Sequence, residues 1–180
     1  KSVEWCIAND LCIIVDLHII RSHHFNARNG EGKMTLWTDT AAQNKFFALW
    51  DDLQYHLKDY PTDKLAYELM NEPAAPEAEQ WNALVNAAIT RIRKTEPNRI
   101  IFVGANNWQS ISNIPFLEIP KGDNNIVIAF HNYDPILLTH HKANWTSFKK
   151  YTGKVQYPGI SANPQDLWSQ LDSTNITIKA

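Results

Sequence analysis

Cysteine is scarce: Cys6 and Cys12 are the only two in 180 residues, one at an apparent helix end and the other entering the run that follows. Two such thiols offer no disulfide framework. They are expected to be buried and free, and they leave the redox compartment undetermined. No apolar run approaches the roughly 20 residues that a membrane-spanning helix needs. Basic blocks are missing too, and the formal net charge is -2, so neither a nucleic acid nor an anionic membrane surface is an expected partner. The motifs of several chemistries are also lacking: HExxH and CxxC for zinc, the GxSxG elbow, the P-loop and the GxGxxG dinucleotide fingerprint. Low-complexity segments and linkers are absent, which suggests one domain or part of one. There is no initiating Met and no signal-peptide pattern. The chain starts at Lys1 in what reads as the tail of a helix, as a cut would leave it, and "LDSTNITIKA" shows no evident finish.

What the sequence does hold is an ordinary globular composition, 44% hydrophobic and 20% charged, with an unusual stock of seven Trp and six Tyr. Flat rings suit sugar faces and equally fill cores, so composition alone does not choose between them. Four β-prone runs stand out: Leu11 to Leu17, Leu65 to Met70, Ile100 to Val103 and Ile126 to Phe130. They are mostly continuously apolar rather than alternating, the pattern of parallel strands covered on both faces. Helical stripes lie between them. Phe46, Trp50, Leu53 and Leu57 follow a possible cap at Thr38 or Asp39. Trp81, Leu84, Val85, Ala88 and Ile92 follow Pro76, which is expected to open their helix, with Glu77 and Glu79 in its first turn. Alternating helices and strands of this kind predict α/β units with right-handed crossovers.

Each run ends in polar or aromatic residues: "HIIRSHHFNARNG", "NEPAAP", "GANNWQS" and "HNYDP". Parallel α/β folds bring strand C-termini to one face, where ligands bind. Asn71, Glu72, Trp108, His131 and Tyr133 are therefore expected to converge. A carboxyl at the rim of an apolar strand can act as a proton donor, Asn71 can bond a substrate hydroxyl, and Pro73 restricts the backbone before it. A Glu paired with Arg or Lys is the plain alternative; the company on the same face favours a working acid. His131 and Tyr133 stand two apart, as residues sharing one side of a pleat do, although a core histidine with a buried tyrosine would look the same. His18 invites a similar reading, whereas Asp16 is expected to be a buried, hydrogen-bonded group. His23-His24 and His140-His141 hint at a metal, but adjacent histidines rarely converge on one ion, so neither metal nor cofactor is expected. The sequons at Asn144 and Asn175 are short enough to arise by chance.

Taken in order, "VDLH", "YELMNEP", "IRKTEPNRIIFVGANNWQS", "FHNYDP" and "THHKANW" followed by "YPG" resemble glycoside hydrolase family 5, the cellulase family, from about Val3 to Gly159. NEP alone is shared by related barrel glycosidases; the ordered set is far more specific. The resemblance implies an incomplete (β/α)8 TIM barrel, α/β in class, with about four of eight strands, roughly the third to the sixth. Residues 1–180 would be a partial catalytic domain. It further implies Glu72 as general acid/base, Asn71 as a donor to the sugar beside the scissile bond, and His131 with Tyr133 flanking the nucleophile. His18 and Trp108 would bind substrate, the latter by stacking.

The departures are as informative. A retaining family needs a second carboxylate about 5–5.5 Å from the first. In this family it is a glutamate beyond the His-x-Tyr motif, but the last glutamate here is Glu118, and Asp134, Asp166 and Asp172 sit in no matching motif. The family's second-strand arginine and eighth-strand tryptophan have no counterpart either, and a complete barrel takes about 250 residues. The resemblance thus implies part of a retaining endo-β-1,4-glucanase acting on β-glucan polysaccharide or oligosaccharide, secreted or periplasmic. Alternatives are a non-catalytic glycan-binding module, a decayed remnant, or another β-glycanase such as a mannanase or xyloglucanase.

Overall fold

The computed structural model describes residues 1–24 and 34–170. The end of "HIIRSHHFNARNG", together with Asp172 and the Asn175 sequon, lies outside the described residues. The chain divides into two compact units, Lys1–His131 and Asn132–Ala180.

In the first unit, α1 (Ser2–Ala8) leads to β1 (Ile13–Asp16), α2 (Thr40–Leu57) to β2 (Leu65–Glu68) and α3 (Ala78–Arg93) to β3 (Ile101–Gly104); a 3-10 segment (Ile111–Phe116) precedes β4 (Ile126–Ala129). The strands form one sheet in the order β1-β2-β3-β4, all neighbours parallel. Strand order never reverses, so the sheet advances as the wall of a barrel does.

The helices form where their apolar stripes meet this sheet. Asp39 caps α2, its side chain accepting from the Ala41 amide at 2.8 Å, and Phe46 and Trp50 are buried beneath it. On α3 the whole stripe of Trp81, Leu84, Val85, Ala88 and Ile92 is buried. Pro76 does not open that helix: Glu77 is the cap, in extended backbone, and its amide donates to the Gln80 side chain at 3.1 Å. Leu65, Tyr67 and Leu69 join Ile101 and Val103 in the core under these two helices. The intervening residues form the other face of the sheet, with Asp16, Glu68, Phe102 and Val127 in one register row.

Cover on both faces holds for β2 but not for the outer strands: Ile14 is 46% exposed and Ile128 45%. β1 and β4 are the edges of this sheet; Ile128 lies in the row of core-facing Val103, whereas Ile14, in the row of Ala66, lies on the face away from the helices. Cys12, just before β1, is likewise exposed rather than buried; both cysteines are free. Asp16 is hydrogen-bonded to His18 as expected but is not buried.

Near the entry of β2 lies a buried ionic cluster. Arg99 donates to Glu96 at 2.6 Å and to the carbonyls of Tyr60 and Leu65 at 2.9 and 2.8 Å. Glu96 also accepts from Tyr67 Oη and Gln54 Nε2, both at 3.0 Å. Burial, reinforced by Glu96, pushes the Tyr67 phenol well above its ordinary pKa. In the second unit, short helices Ile136–Thr139 and Pro164–Gln170 accompany a small core of Leu137, Tyr151 and Ala162.

Candidate active site

Two buried indoles pin the helices to the strand ends that carry the polar residues. Trp50 Nε1 donates to the Leu69 carbonyl at 3.1 Å, and Trp81 Nε1 donates to the Gly104 carbonyl at 2.8 Å. Beyond Leu69 the chain runs through Met70 and Asn71, both buried, to Glu72. The Asn71 amide donates to the Leu17 carbonyl at 3.1 Å, which ties the end of β2 to the segment bearing His18.

Glu72 stands in left-handed backbone, with φ 49°. This conformation suits glycine far better than glutamate, and contacts on both sides of the residue hold it. Its amide donates to Gln109 Oε1 at 2.9 Å. Its carbonyl accepts from His23 Nε2 at 3.2 Å. Burial lowers the pKa of His23; the bond to the Glu72 carbonyl opposes this and the neighbouring His24 adds to it. His23 is therefore best described as a neutral ring that donates through Nε2.

The Glu72 side chain meets His131, whose Nδ1 lies 2.7 Å from Oε1, with both side chains about three-quarters or more covered. His131 follows β4 and is anchored through its own amide, which donates to the Gln109 carbonyl at 2.9 Å. The segment after β3 grips the loop after β2 at further points. Asn106 exchanges hydrogen bonds with both backbone groups of Ala75, at 2.8 and 3.0 Å, and the Trp108 amide donates to the Pro73 carbonyl at 3.1 Å. Trp108 itself is 51% exposed, an indole beside the Glu72 loop with an open surface.

Asn71, Glu72, Trp108 and His131 thus come to one rim of the first unit, as expected. His18 joins that rim through the preceding Leu17, and its Nδ1 pairs with Asp16 Oδ2 at 3.0 Å while its ring stays largely exposed. Tyr133 belongs to the second unit, where its ring meets His140 edge-on at 4.7 Å and its carbonyl accepts from the Thr139 hydroxyl at 2.6 Å. Among the described residues no histidine pair belongs to a cluster that could hold a metal ion. His23 serves the Glu72 carbonyl; His140 faces Tyr133 and Trp145, whereas His141 faces Tyr151.

Sequence inspection missed Gln109 and the use made of His23. Gln109 follows a strand within "NNWQS", a stretch that looks like an ordinary polar loop, and only its place beside a strand end could have flagged it. What the rim offers chemically is a carboxyl in contact with an imidazole, a neighbouring amide and an exposed indole: a group that can exchange a proton beside a flat apolar surface.

Residues 1–177 match the family model described as cellulase, glycosyl hydrolase family 5. Endoglucanase C of Acetivibrio thermocellus is 31% identical over 162 residues, covering 88% of this chain and 45% of that protein. The solved cellulose synthase subunit Z of Clostridioides difficile superposes with a TM-score of 0.72 at 27% identity, over 94% of this chain and 51% of its own. Thermotoga maritima Cel5A, solved with mannotriose, gives a TM-score of 0.71 at 26% identity over 93% and 49%. A mutant form of it, solved with cellobiose, also gives 0.71, at 25% identity over 94% and 50%. The chain spans about half the length of each of these proteins.

Proposed function

Because the chain belongs to glycosyl hydrolase family 5, the cellulase family, we propose that it is the middle of a retaining endo-β-1,4-glucanase barrel with Glu72 as its acid/base. The observation that carries this is the 2.7 Å contact between His131 Nδ1 and the Glu72 carboxyl at a shared strand-end rim. Asn71 donates to the sugar hydroxyl beside the scissile bond. His131 and Tyr133 flank the nucleophile, His18 supports the substrate and Trp108 stacks on a sugar ring.

In the first step Glu72 gives its proton to the glycosidic oxygen as the bond from that oxygen to the anomeric carbon breaks. A second carboxylate attacks the anomeric carbon and forms a glycosyl ester. In the second step Glu72, now ionised, takes a proton from the water that attacks the same carbon, and the ester breaks to release the sugar. Retention requires the second carboxylate about 5–5.5 Å from Glu72. No glutamate follows Glu118 in these 180 residues, so the nucleophile is assigned to a part of the barrel that the chain does not contain. Polymeric β-glucan lies outside cells, which is the basis for proposing that the protein is secreted or periplasmic. Among the described residues no helix is long and apolar enough to cross a membrane.

The test is hydrolysis of soluble β-glucan and of an activated aryl cellobioside by a protein that joins this chain to the rest of its barrel, with and without Glu72→Gln. Loss of the acid should lower turnover of the polysaccharide by roughly 10²–10⁴-fold. The aryl substrate, whose leaving group scarcely needs a proton, should suffer less in its first step. The 180-residue chain alone should give background turnover. Full activity in the Glu72→Gln form would remove Glu72 from the role, and binding of cello-oligosaccharides without turnover in every form would favour a glycan-binding module. Assays on mannan in parallel decide the sugar, since Cel5A has been solved with both cellobiose and mannotriose.

A further inference from the structure

Gln109 is fully buried and sits at a junction of the proposed acid/base and its histidine. Its side-chain Nε2 donates to Glu68 Oε1 at 2.9 Å, and its Oε1 accepts from the Glu72 amide at 2.9 Å. Its main-chain carbonyl accepts from the His131 amide, also at 2.9 Å. One residue therefore holds the backbone N–H of both partners in the Glu72–His131 contact, one through its side chain and the other through its main chain.

The arrangement has a defined polarity. The Glu72 backbone N–H can only donate, so it draws the oxygen of the Gln109 amide and turns the NH₂ end towards the Glu68 carboxyl. This removes the usual ambiguity of an amide that could be flipped. Space for the side chain comes from Gly104, where a Cβ would collide with the Gln109 Cγ and amide. The backbone is also committed: Asn107, Trp108 and Gln109 are all left-handed, with φ 59°, 59° and 55°. Three strained non-glycine residues in succession, a glycine kept clear and a buried amide with both ends bonded all converge on the Glu72 peptide.

We propose that Gln109 is a positioning residue that fixes the Glu72 carboxyl against His131, with Glu68 holding the NH₂ end of its amide. The proposal rests on the assignment of Glu72 as acid/base, and it extends that assignment to residues which touch no substrate.

The direct readout is hydrogen exchange of the Glu72 and His131 amides in the 180-residue chain, referenced to the sheet amides of Tyr67 and Val103. Gln109→Met keeps the length and loses both side-chain bonds. It should speed exchange at Glu72 by roughly tenfold, the equivalent of one net hydrogen bond, with the sheet amides unchanged. Gln109→Glu places a second carboxylate against Glu68 and should act in the same direction. The double variant Gln109→Glu with Glu68→Gln restores the bridge with its donor reversed. The new side-chain amide on β2 then donates to the new carboxylate after β3, whose other oxygen accepts from the Glu72 amide. Recovery of Glu72 protection in that variant is the expected result. A merely space-filling Gln109 would show no such recovery.

Parental protection at Glu72 in a folded Gln109→Met variant would overturn the proposal. If Gln109→Met fails to fold, a folded double variant no better protected than Gln109→Glu overturns it instead. In the joined barrel, Gln109→Met should lower kcat and leave KM nearly unchanged; a change confined to KM would count against positioning. Exchange at the Glu72 amide does not depend on catalysis, so failure of the acid/base assignment would appear in the Glu72→Gln assay and not here.

Discussion

At the residue scale, the unfavourable backbone of Glu72 has to be offset by its neighbours. A non-glycine residue in the left-handed region costs about 1–2 kcal/mol, what one or two net hydrogen bonds return. Gln109 and His23 bond its peptide groups from opposite sides. The His23 ring has a lower pKa in the folded chain than its ordinary value of 6.5, chiefly through burial. As pH falls, the unfolded chain therefore takes up this proton first. The stability contributed by neutral His23 is complete above the unfolded value and is lost as pH falls from there through the folded value. Thermal unfolding followed between about pH 7.5 and 5.5 should show Tm falling, and His23→Gln, which keeps an N–H donor but cannot titrate, should flatten that slope. An unaltered slope in the variant would assign the pH dependence to other groups. Glu72 and His131 were legible in the sequence because each follows a strongly apolar strand. His23 was not, since it reaches Glu72 only by folding back from the loop after β1. Gln109 was hidden because its left-handed turn is made without glycine.

At the scale of elements, periodicity and strand composition found all four strands and both long helices, since each one buries its own stripe or run. What they could not supply was context. The start of α3 depends on Glu77 and Gln80 closing a cap, which displaces Pro76 from the first turn. The exposure of Ile14 and Ile128 depends on which strands become edges. The connection from α2 to β2 shows the same reliance on a distant partner: Arg99 donates to the carbonyls of Pro61, Tyr60 and Leu65 while its Nε is neutralised by Glu96. Arg99→Met leaves the Glu96 carboxylate buried without its cation and the carbonyls without their donor. Breaking such a buried pair costs about 3–5 kcal/mol. Arg99→Lys should recover little, because one ammonium cannot reproduce the guanidinium fork. Urea unfolding at neutral pH checks both: the midpoint should drop sharply with the slope retained, and a loss below about 1 kcal/mol would mean that water or relaxation replaces the cluster.

At the scale of the whole molecule, a sheet that advances β1-β2-β3-β4 without reversal has two edges, and among the described residues no further strand pairs with the outer side of β1 or β4. Both edges carry apolar side chains in the open: Ile14 is 46% exposed, Val127 39% and Ile128 45%. A closed barrel removes such edges, whereas an open one presents unpaired N–H and C=O groups beside apolar surface, a template for another chain. The ordered motifs made the barrel resemblance legible, and with it two open edges in an isolated half; the exposures add which apolar side chains lie on them. The 180-residue chain on its own should therefore self-associate in proportion to concentration, as read by light scattering across a dilution series. Lysine at Ile14 and Ile128, which places charge on both edges without touching the Glu72 rim, should shift the population towards monomer and keep the helical signal. A monodisperse monomer with a sharp cooperative melt in the unsubstituted chain would show that the edges are already protected. In that case the four-stranded unit is a self-sufficient fold, a stable part of a barrel.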